Sequence, residues 1–158
     1  SDDGSEIKVG VEQTSEGAEY TFDFDHVPEQ GEFILPPGGL YSAMVTDFDV
    51  KNSSTGKPMI VFVFTLLKHQ ENPDIDARNA KVWDNIVITL SRVRDAFKCL
   101  GLETTGKHKK SDIVGRQCLL LVKPDEYQGR KSLKVARYMP HPAGVGHRQF
   151  DNMDDIPF

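Results

Sequence analysis

The sequence predicts an all-β fold of five strands with a single helix, and three observations lead to this prediction. Five segments combine alternating or continuous apolar residues with an enrichment in β-branched and aromatic side chains. One segment repeats its apolar residues at helical spacing. About 45 strand residues are too few for a two-sheet sandwich of immunoglobulin size, but they suffice for a small Greek-key barrel.

The first three predicted strands are residues 40–50, 58–67 and 81–90. The first alternates in part, with Met44, Phe48 and Val50 on one face, and is expected to be half-buried. The second is almost continuously apolar, which is typical of a strand covered on both faces. We expect its Phe62 and Phe64 to face the core. The third alternates cleanly between apolar and polar residues.

A short amphipathic helix follows the third strand. Ser91 is a suitable N-cap, Ala96 and Leu100 belong to an apolar stripe, and Gly101 ends the pattern. Two further strands are predicted at residues 117–123 and 131–139, with a turn at 124–130. A helix between strands three and four of a five-stranded Greek-key barrel is the arrangement of the oligonucleotide/oligosaccharide-binding (OB) fold.

The charge divides the chain into three parts. Residues 1–35 contain ten acids and one base, residues 36–150 contain eighteen bases and eleven acids, and residues 151–158 contain three acids. The net charge of -5 therefore conceals a basic middle between acidic ends. We predict an acidic N-terminal arm over residues 1–35, an OB domain over residues 36–140 and a disordered acidic tail over residues 141–158.

Composition limits the class of protein. With 38% hydrophobic and 27% charged residues, the 158-residue chain is neither collagen-like nor of low complexity. No apolar run approaches the roughly 20 residues of a membrane span, and no N-terminal segment looks like a secretory signal. Cys99 and Cys118 lie among apolar neighbours, which favours a reduced compartment over a disulfide scaffold. We expect a cytoplasmic protein.

Catalytic patterns are weak, so we expect no enzyme, no cofactor and no metal. The stretch from Gly101 to Lys107 fits a phosphate-binding loop, but His108 stands where that loop needs a Ser or Thr. Asp47 and Asp49 share one strand face, which is compatible with a nuclease metal but more typical of solvated carboxylates. The five histidines are dispersed without zinc-ligand spacing.

Binding of single-stranded nucleic acid is better supported, because it needs a positive groove and aromatic rings on which bases stack. In an OB barrel these come from strands two and three and from the loops joining strands one to two and four to five. The candidate residues are Lys51, Lys57, Lys81, Trp83, Arg92, Arg94, Lys123, Tyr127, Arg130, Lys131, Lys134 and Tyr138.

Three of these candidates have alternative roles. Trp83 lies on the polar strand face, where it is either a stacking platform or a residue at the rim of the core. Tyr127 lies at a loop tip, where it either stacks on a base or is simply exposed. Arg92 and Arg94 occupy the first helical turn, where the dipole disfavours cations, so they either meet a phosphate or are solvated.

The sequence ends in a flexible acidic peptide with an apolar residue, Phe158. A partner protein could take the ring in a pocket and meet the aspartates with a basic rim. This ending resembles the acidic tip of bacterial single-stranded DNA-binding proteins, which recruits replication, repair and recombination enzymes. The resemblance implies a protein-docking tip formed by Asp154, Asp155, Ile156, Pro157 and Phe158.

The rest of the chain resembles phage-encoded single-stranded DNA-binding proteins. The matching segments are Phe22-Asp23-Phe24-Asp25, Pro36-Pro37-Gly38-Gly39-Leu40-Tyr41, Gly56-Lys57-Pro58-Met59, Leu100-Gly101-Leu102 and Glu126-Tyr127-Gln128-Gly129-Arg130. The resemblance implies an OB fold and a role in phage DNA replication or recombination in the cytoplasm of a bacterial host.

We therefore expect a non-enzymatic, sequence-tolerant binder of single-stranded DNA that protects the strand and recruits replication, recombination or repair proteins. The alternatives are an adaptor that binds only protein through an OB-like barrel, and a small metal-dependent nuclease. The sequence leaves open the oligomeric state, the site size and the preference for DNA over RNA.

Overall fold

The computed structural model describes residues 8–14, 17–23 and 34–148, and the chain divides into two units, Ser1–Ile34 and Leu35–Phe158. The first unit contains a hairpin of strands β1 (Lys8–Thr14) and β2 (Gly17–Asp23), which pair antiparallel in a sheet of their own. Tyr20 and Phe22, which belong to the alternating stretch of the sequence, stack at 6.3 Å between ring centroids. The segment predicted as an arm therefore contains a two-stranded sheet.

The second unit contains a five-stranded antiparallel sheet and two helices. Its elements are β3 (Gly39–Asn52), β4 (Pro58–His69), β5 (Lys81–Val87), α1 (Ser91–Cys99), α2 (Lys110–Ile113), β6 (Gln117–Tyr127) and β7 (Arg130–Met139). The strands follow the order β5-β4-β3-β6-β7. The predicted all-β class is confirmed, because five antiparallel strands make up most of this unit. The helix α2 was not predicted, since the sequence pattern indicated a loop between α1 and β6.

The start of α1 differs from the prediction by one residue. The helix begins at Ser91, and the preceding Leu90 occupies the N-cap position without a side-chain hydrogen bond. Strand β5 ends at Val87 rather than at residue 90, and Ile88, just beyond this end, is 43% exposed. The apolar alternation continues past the strand end because the connecting turn also carries apolar residues.

A bulge at Thr46 reverses the faces of β3. Val45 pairs with Phe64, and the next paired residue is Asp47, opposite Val63. Before the bulge, Val45 points into the core; after it, Phe48 packs against the core while Asp47 is exposed. One unpaired residue exchanges the two faces because strand side chains alternate with period two. Val50 shares the face of Phe48 but is 54% exposed near the end of β3, and the bulge separates both from the face of the buried Met44, with which they were predicted to align.

A second bulge, at Ala136, reverses the faces of β7. Val135 pairs with Val122, while Arg137 pairs with Leu121, which leaves Ala136 unpaired. Without the bulge, alternation from Leu133 and Val135 would turn Tyr138 outward. With it, Tyr138 is 9% exposed and belongs to the core.

Aromatic side chains form the centre of the core. Phe62 and Phe64 are fully buried and stack at 5.4 Å between centroids, which confirms the predicted direction of their side chains. Phe48 and Phe97 pack edge-on against Phe62, at 5.4 and 6.2 Å. The helix α1 is thereby fixed to the middle of the sheet through Phe97.

The two edge strands, β5 and β7, are joined through side chains. Asp84 of β5 is 7% exposed, and its Oδ2 accepts hydrogen bonds from the Tyr138 hydroxyl of β7 and from the Arg92 guanidinium of α1. A buried carboxylate requires such partners, since burial without them is very unfavourable. We call Asp84, Arg92 and Tyr138 the seam cluster; it links both edges of the sheet to the helix.

The segment after β7 continues along the folded unit, in contrast to the tail predicted from residue 141. Arg148 donates to the backbone carbonyls of Asp112 and Val114 at 3.1 and 2.9 Å. His141 and His147 stack at 4.3 Å between centroids, and Gln117 N–H donates to the His147 carbonyl. Residues 141–148 are therefore part of the described fold, and residues 149–158 lie outside it.

The seam cluster predicts a loss of stability in Tyr138→Phe. Removal of the hydroxyl leaves Arg92 as the one remaining described side-chain partner of the buried Asp84 carboxylate. An unsatisfied buried acceptor costs about 1–3 kcal/mol, so the free energy of unfolding in urea should fall by that amount.

Tyr127→Phe is the matched control, because Tyr127 is 73% exposed and its substitution should change the unfolding free energy by less than about 0.5 kcal/mol. Equal unfolding midpoints for the two variants would show that the seam cluster contributes nothing to stability.

Candidate nucleic-acid interface

A shallow groove of about 240 Å³ lies on the outer face of β3, β4 and β5. Trp83 forms one wall and is 60% exposed, so its ring is available for stacking. The floor is apolar, since Met59, Val61 and Val63 contribute side chains from β4. Lys51 also lines the groove, so two of the predicted binding residues meet here.

The rim of this groove carries polar groups that the sequence-based candidate set lacks. Asp49 pairs with Val61, which pairs with Asn85 on the next strand. Asp47 occupies the corresponding position in the row of Val63 and Trp83. The sequence analysis interpreted both aspartates as solvated carboxylates, and it chose its binding candidates among cations and aromatic rings, so the set leaves them out.

Lys110 neutralises one of the two aspartates. Its Nζ lies 2.6 Å from the Asp47 Oδ1, and both side chains are more than half exposed. The hydrogen bond from Lys110, followed by one from the Phe48 N–H, lowers the pKa of Asp47 below its ordinary value. The short helix α2 thus brings to the groove a cation that the sequence alone does not relate to it.

A chain of hydrogen bonds through two threonine hydroxyl groups connects Lys81 of β5 to the bulge at Thr46 of β3. Lys81 Nζ donates to Thr65 Oγ1, which donates to Thr46 Oγ1, which in turn donates to the Val63 carbonyl. Partial burial lowers the pKa of Lys81. Lys81 therefore has a structural role in holding the bulge, in addition to its predicted place on the face of Trp83.

The hairpin of β6 and β7 groups four more of the predicted residues. Beyond Val122, which pairs with β3, the two strands pair only with each other as far as Tyr127 and Arg130. Directly opposite residues share a face, so Lys123 and Lys134 lie on the same face as Tyr127 and Arg130, with the pair of Asp125 and Ser132 between them. We call this set the hairpin face; Lys131, opposite Glu126, lies on the other side.

The turn of this hairpin is shorter than the predicted loop at 124–130. It consists of Gln128 and Gly129, which have φ values of 52° and 79°. Two residues with positive φ are typical of a type I′ turn, whose twist matches that of the strands. Pro124 is compatible with a strand here because β6 has no second neighbour beyond Val122.

The remaining candidates are scattered. Lys57 is exposed in the turn between β3 and β4, and Arg94 is exposed on α1. Arg92 is paired with the buried Asp84, so the expected phosphate contact is not supported for this residue. The helix dipole disfavours a cation at the N-terminus of α1, and the ion pair with the Asp84 carboxylate explains why Arg92 is nevertheless found there.

Tyr138 is not an interface residue, contrary to the prediction, because the Ala136 bulge turns it into the core. Burial, reinforced by the negative charge of Asp84, raises the pKa of Tyr138 well above its usual value. Its phenol is therefore held in the neutral form that can donate to Asp84.

A second cavity, of about 390 Å³, lies between α1 and β7. Lys98 and Arg137, which the sequence analysis did not select, line it together with Asp95. Its one aromatic side chain is the buried Tyr138, so it offers no free ring for stacking. The groove beside Trp83 is the better candidate for a base.

The predicted docking tip, Asp154 to Phe158, lies outside the described residues. Within residues 8–14, 17–23 and 34–148, no three His, Cys, Asp or Glu side chains converge as metal ligands. No helix in that part of the chain is long and apolar enough to cross a membrane. No protein-family model and no curated protein matches this chain.

Proposed function

We propose that this protein is a non-enzymatic binder of single-stranded DNA with little sequence preference, which protects the strand in the cytoplasm of a bacterial host. The observation that carries the proposal is the exposed Trp83 ring above an apolar groove floor. An indole in this position would otherwise leave a large apolar surface in water, whereas a stacked base covers it. Stacking suits a sequence-tolerant function because every base has a π-face.

The arrangement of the strands supports an OB barrel as the framework of this function. In the second unit, the first three strands form a meander and the fourth, β6, returns to lie beside the first, β3, as in a Greek key. The seam cluster joins β5 to β7, which are the two strands that must meet to close such a barrel. The face of β4 and β5 that carries Trp83 is then the one that binds oligonucleotides in this fold.

The hairpin face provides the charge that a phosphate backbone requires. Lys123, Arg130 and Lys134 project from one side of the two-stranded extension, together with the ring of Tyr127. Cations in a row with an exposed aromatic ring are the two components of a single-strand binding surface. We propose that the backbone follows the hairpin face while bases occupy the groove.

The acidic ends complete the proposed function. The excess of acids in residues 1–35 and 151–158 contrasts with the basic middle of the chain. Acidic peptides can compete with DNA for a basic surface and can also dock on basic pockets of other proteins. We propose that Asp154 to Phe158 recruit replication, recombination or repair proteins.

The central test is a titration of the full chain with oligothymidine at several salt concentrations. We expect quenching of Trp83 fluorescence and a slope of log K against log salt of about -0.7 for each neutralised phosphate. Trp83→Ala should weaken binding of a labelled strand by a factor of about 5–150, the equivalent of one stacked base, and Trp83→Phe should retain part of the affinity.

Other outcomes would contradict this function. A flat salt response would contradict the phosphate contacts of the hairpin face. Trp83 fluorescence that neither oligothymidine nor oligodeoxycytidine changes would remove the groove from the binding site. No retarded strand in a gel shift would favour the adaptor that binds only protein. Magnesium-dependent loss of a labelled strand would favour the nuclease.

The hairpin face leads to a matched pair of lysine variants. Lys134→Gln should weaken binding and reduce the magnitude of the salt slope by about 0.7, because one phosphate contact is lost. Lys131→Gln removes the same charge from the other side of the hairpin, so its slope should match that of the wild type. Equal slopes for both variants would show that the hairpin acts only through its overall charge.

Deletion of Met153 to Phe158 should leave the affinity for single-stranded DNA unchanged or raise it, because two aspartates that repel phosphates are removed. Phe158→Ala, which keeps both aspartates, is the control and should leave affinity unchanged. A lower affinity after the deletion, measured by anisotropy of a labelled strand, would contradict competition between the tip and DNA.

A further inference from the structure

The groove beside Trp83 is chemically unlike the hairpin face. Its rim contains Asp47 and Asp49, both exposed, together with Lys51 and the carboxamide of Asn85. Lys110 pairs with Asp47, and the charge of Asp49 also contributes to the raised pKa of Lys110, but Asp49 forms no ion pair with any residue in the described part of the chain. Lys51 and Lys110 balance the two carboxylates, so the groove lacks the excess of positive charge that attracts a sugar-phosphate backbone.

The geometry of the three strands relates Asp49 to the stacking wall. Asp49 and Asn85 lie in one row across Val61, and Trp83 is two residues from Asn85 on the same strand face. Neighbouring strands are about 4.8 Å apart, so the Asp49 and Asn85 backbones are separated by roughly 10 Å. A base that stacks on Trp83 and covers Val61 is therefore within reach of Asp49 with its polar edge.

The hydrogen-bonding capacity of Asp49 is largely unused. Its Oδ1 accepts from the Val50 N–H at 2.8 Å, and no described side chain donates to its Oδ2. An ionised carboxylate can only accept hydrogen bonds. It is therefore complementary to the exocyclic amino group of cytosine or adenine, and it repels the O4 carbonyl of uracil or thymine.

We propose that this groove holds a nucleobase and that Asp49 favours bases with an exocyclic amino group over uracil and thymine. The inference rests on the proposed binding of single-stranded DNA and adds a graded base preference to it. Strands of every sequence still bind through stacking and through the hairpin face. Asp49 is a specificity-determining residue that acts on the base seated in the groove.

The test compares two labelled strands of equal length, oligodeoxycytidine and oligodeoxyuridine, with the full chain at one salt concentration. The two pyrimidines are similar in size and lack a methyl group, and they differ at position 4, where cytosine has an amino group and uracil a carbonyl. We expect the wild type to bind the cytidine strand at least about fivefold more tightly, as for a good contact to a base edge.

Asp49→Asn should bring the ratio of the two affinities close to one. The substituted amide is of equal size but can donate to uracil O4 as well as accept from cytosine N4. Asp74→Asn is the control, since Asp74 is an exposed acid in the connection between β4 and β5, and it should leave the ratio unchanged while removing the same charge.

Each result has a separate meaning. Equal affinity of the wild type for the two strands, or a preference that persists in Asp49→Asn, would overturn the role of Asp49 while leaving single-strand binding intact. No binding of either strand would instead overturn the proposed function. The wild-type comparison stands even where a variant fails to fold.

Discussion

One-residue bulges at Thr46 and Ala136 determine which side chains the sheet presents at the groove and at the seam cluster. Thr46 turns the aspartates of β3 outward, and Ala136 turns Tyr138 inward, where it meets Asp84. Because strand side chains alternate, each bulge reverses a whole face at once. The polar rim of the groove and the closure of the seam both depend on these two positions. The hydroxyl chain from Lys81 through Thr65 to Thr46 holds the first of them in place.

The groove beside Trp83 and the hairpin face differ in charge, so they suit different parts of a bound strand. The groove combines an indole wall with an apolar floor and a rim of mixed charge, whereas the hairpin face carries an excess of cations and the ring of Tyr127. A strand bound to such a surface has its bases and its phosphates in separate chemical environments. Stacking energy then depends little on ionic strength, while the attraction of phosphates to Lys123 and Lys134 is screened by salt.

Period-two patterns predicted much of this structure, including the place of Trp83 on the polar face of its strand, and the expected burial of Phe62 and Phe64 is confirmed. They did not predict the burial of Tyr138, because a bulge leaves no clear mark in the sequence and reverses the pattern beyond it. The role of Arg92 depends on a carboxylate from another strand, and the contact of Lys110 with Asp47 depends on tertiary packing. Such relations between distant segments are not contained in local periodicity.

The hairpin of β6 and β7 can change its reach independently of the remaining sheet. Its outer part pairs with no other strand beyond Val122, and its turn is only Gln128 and Gly129. Adding two residues to each strand would lengthen it by about 7 Å and keep Tyr127 and Arg130 on the same face. Adding one residue to each would rotate the tip to the opposite face. Insertions of even length thus offer an evolutionary route to a longer or shorter footprint on a ligand, with the core unchanged.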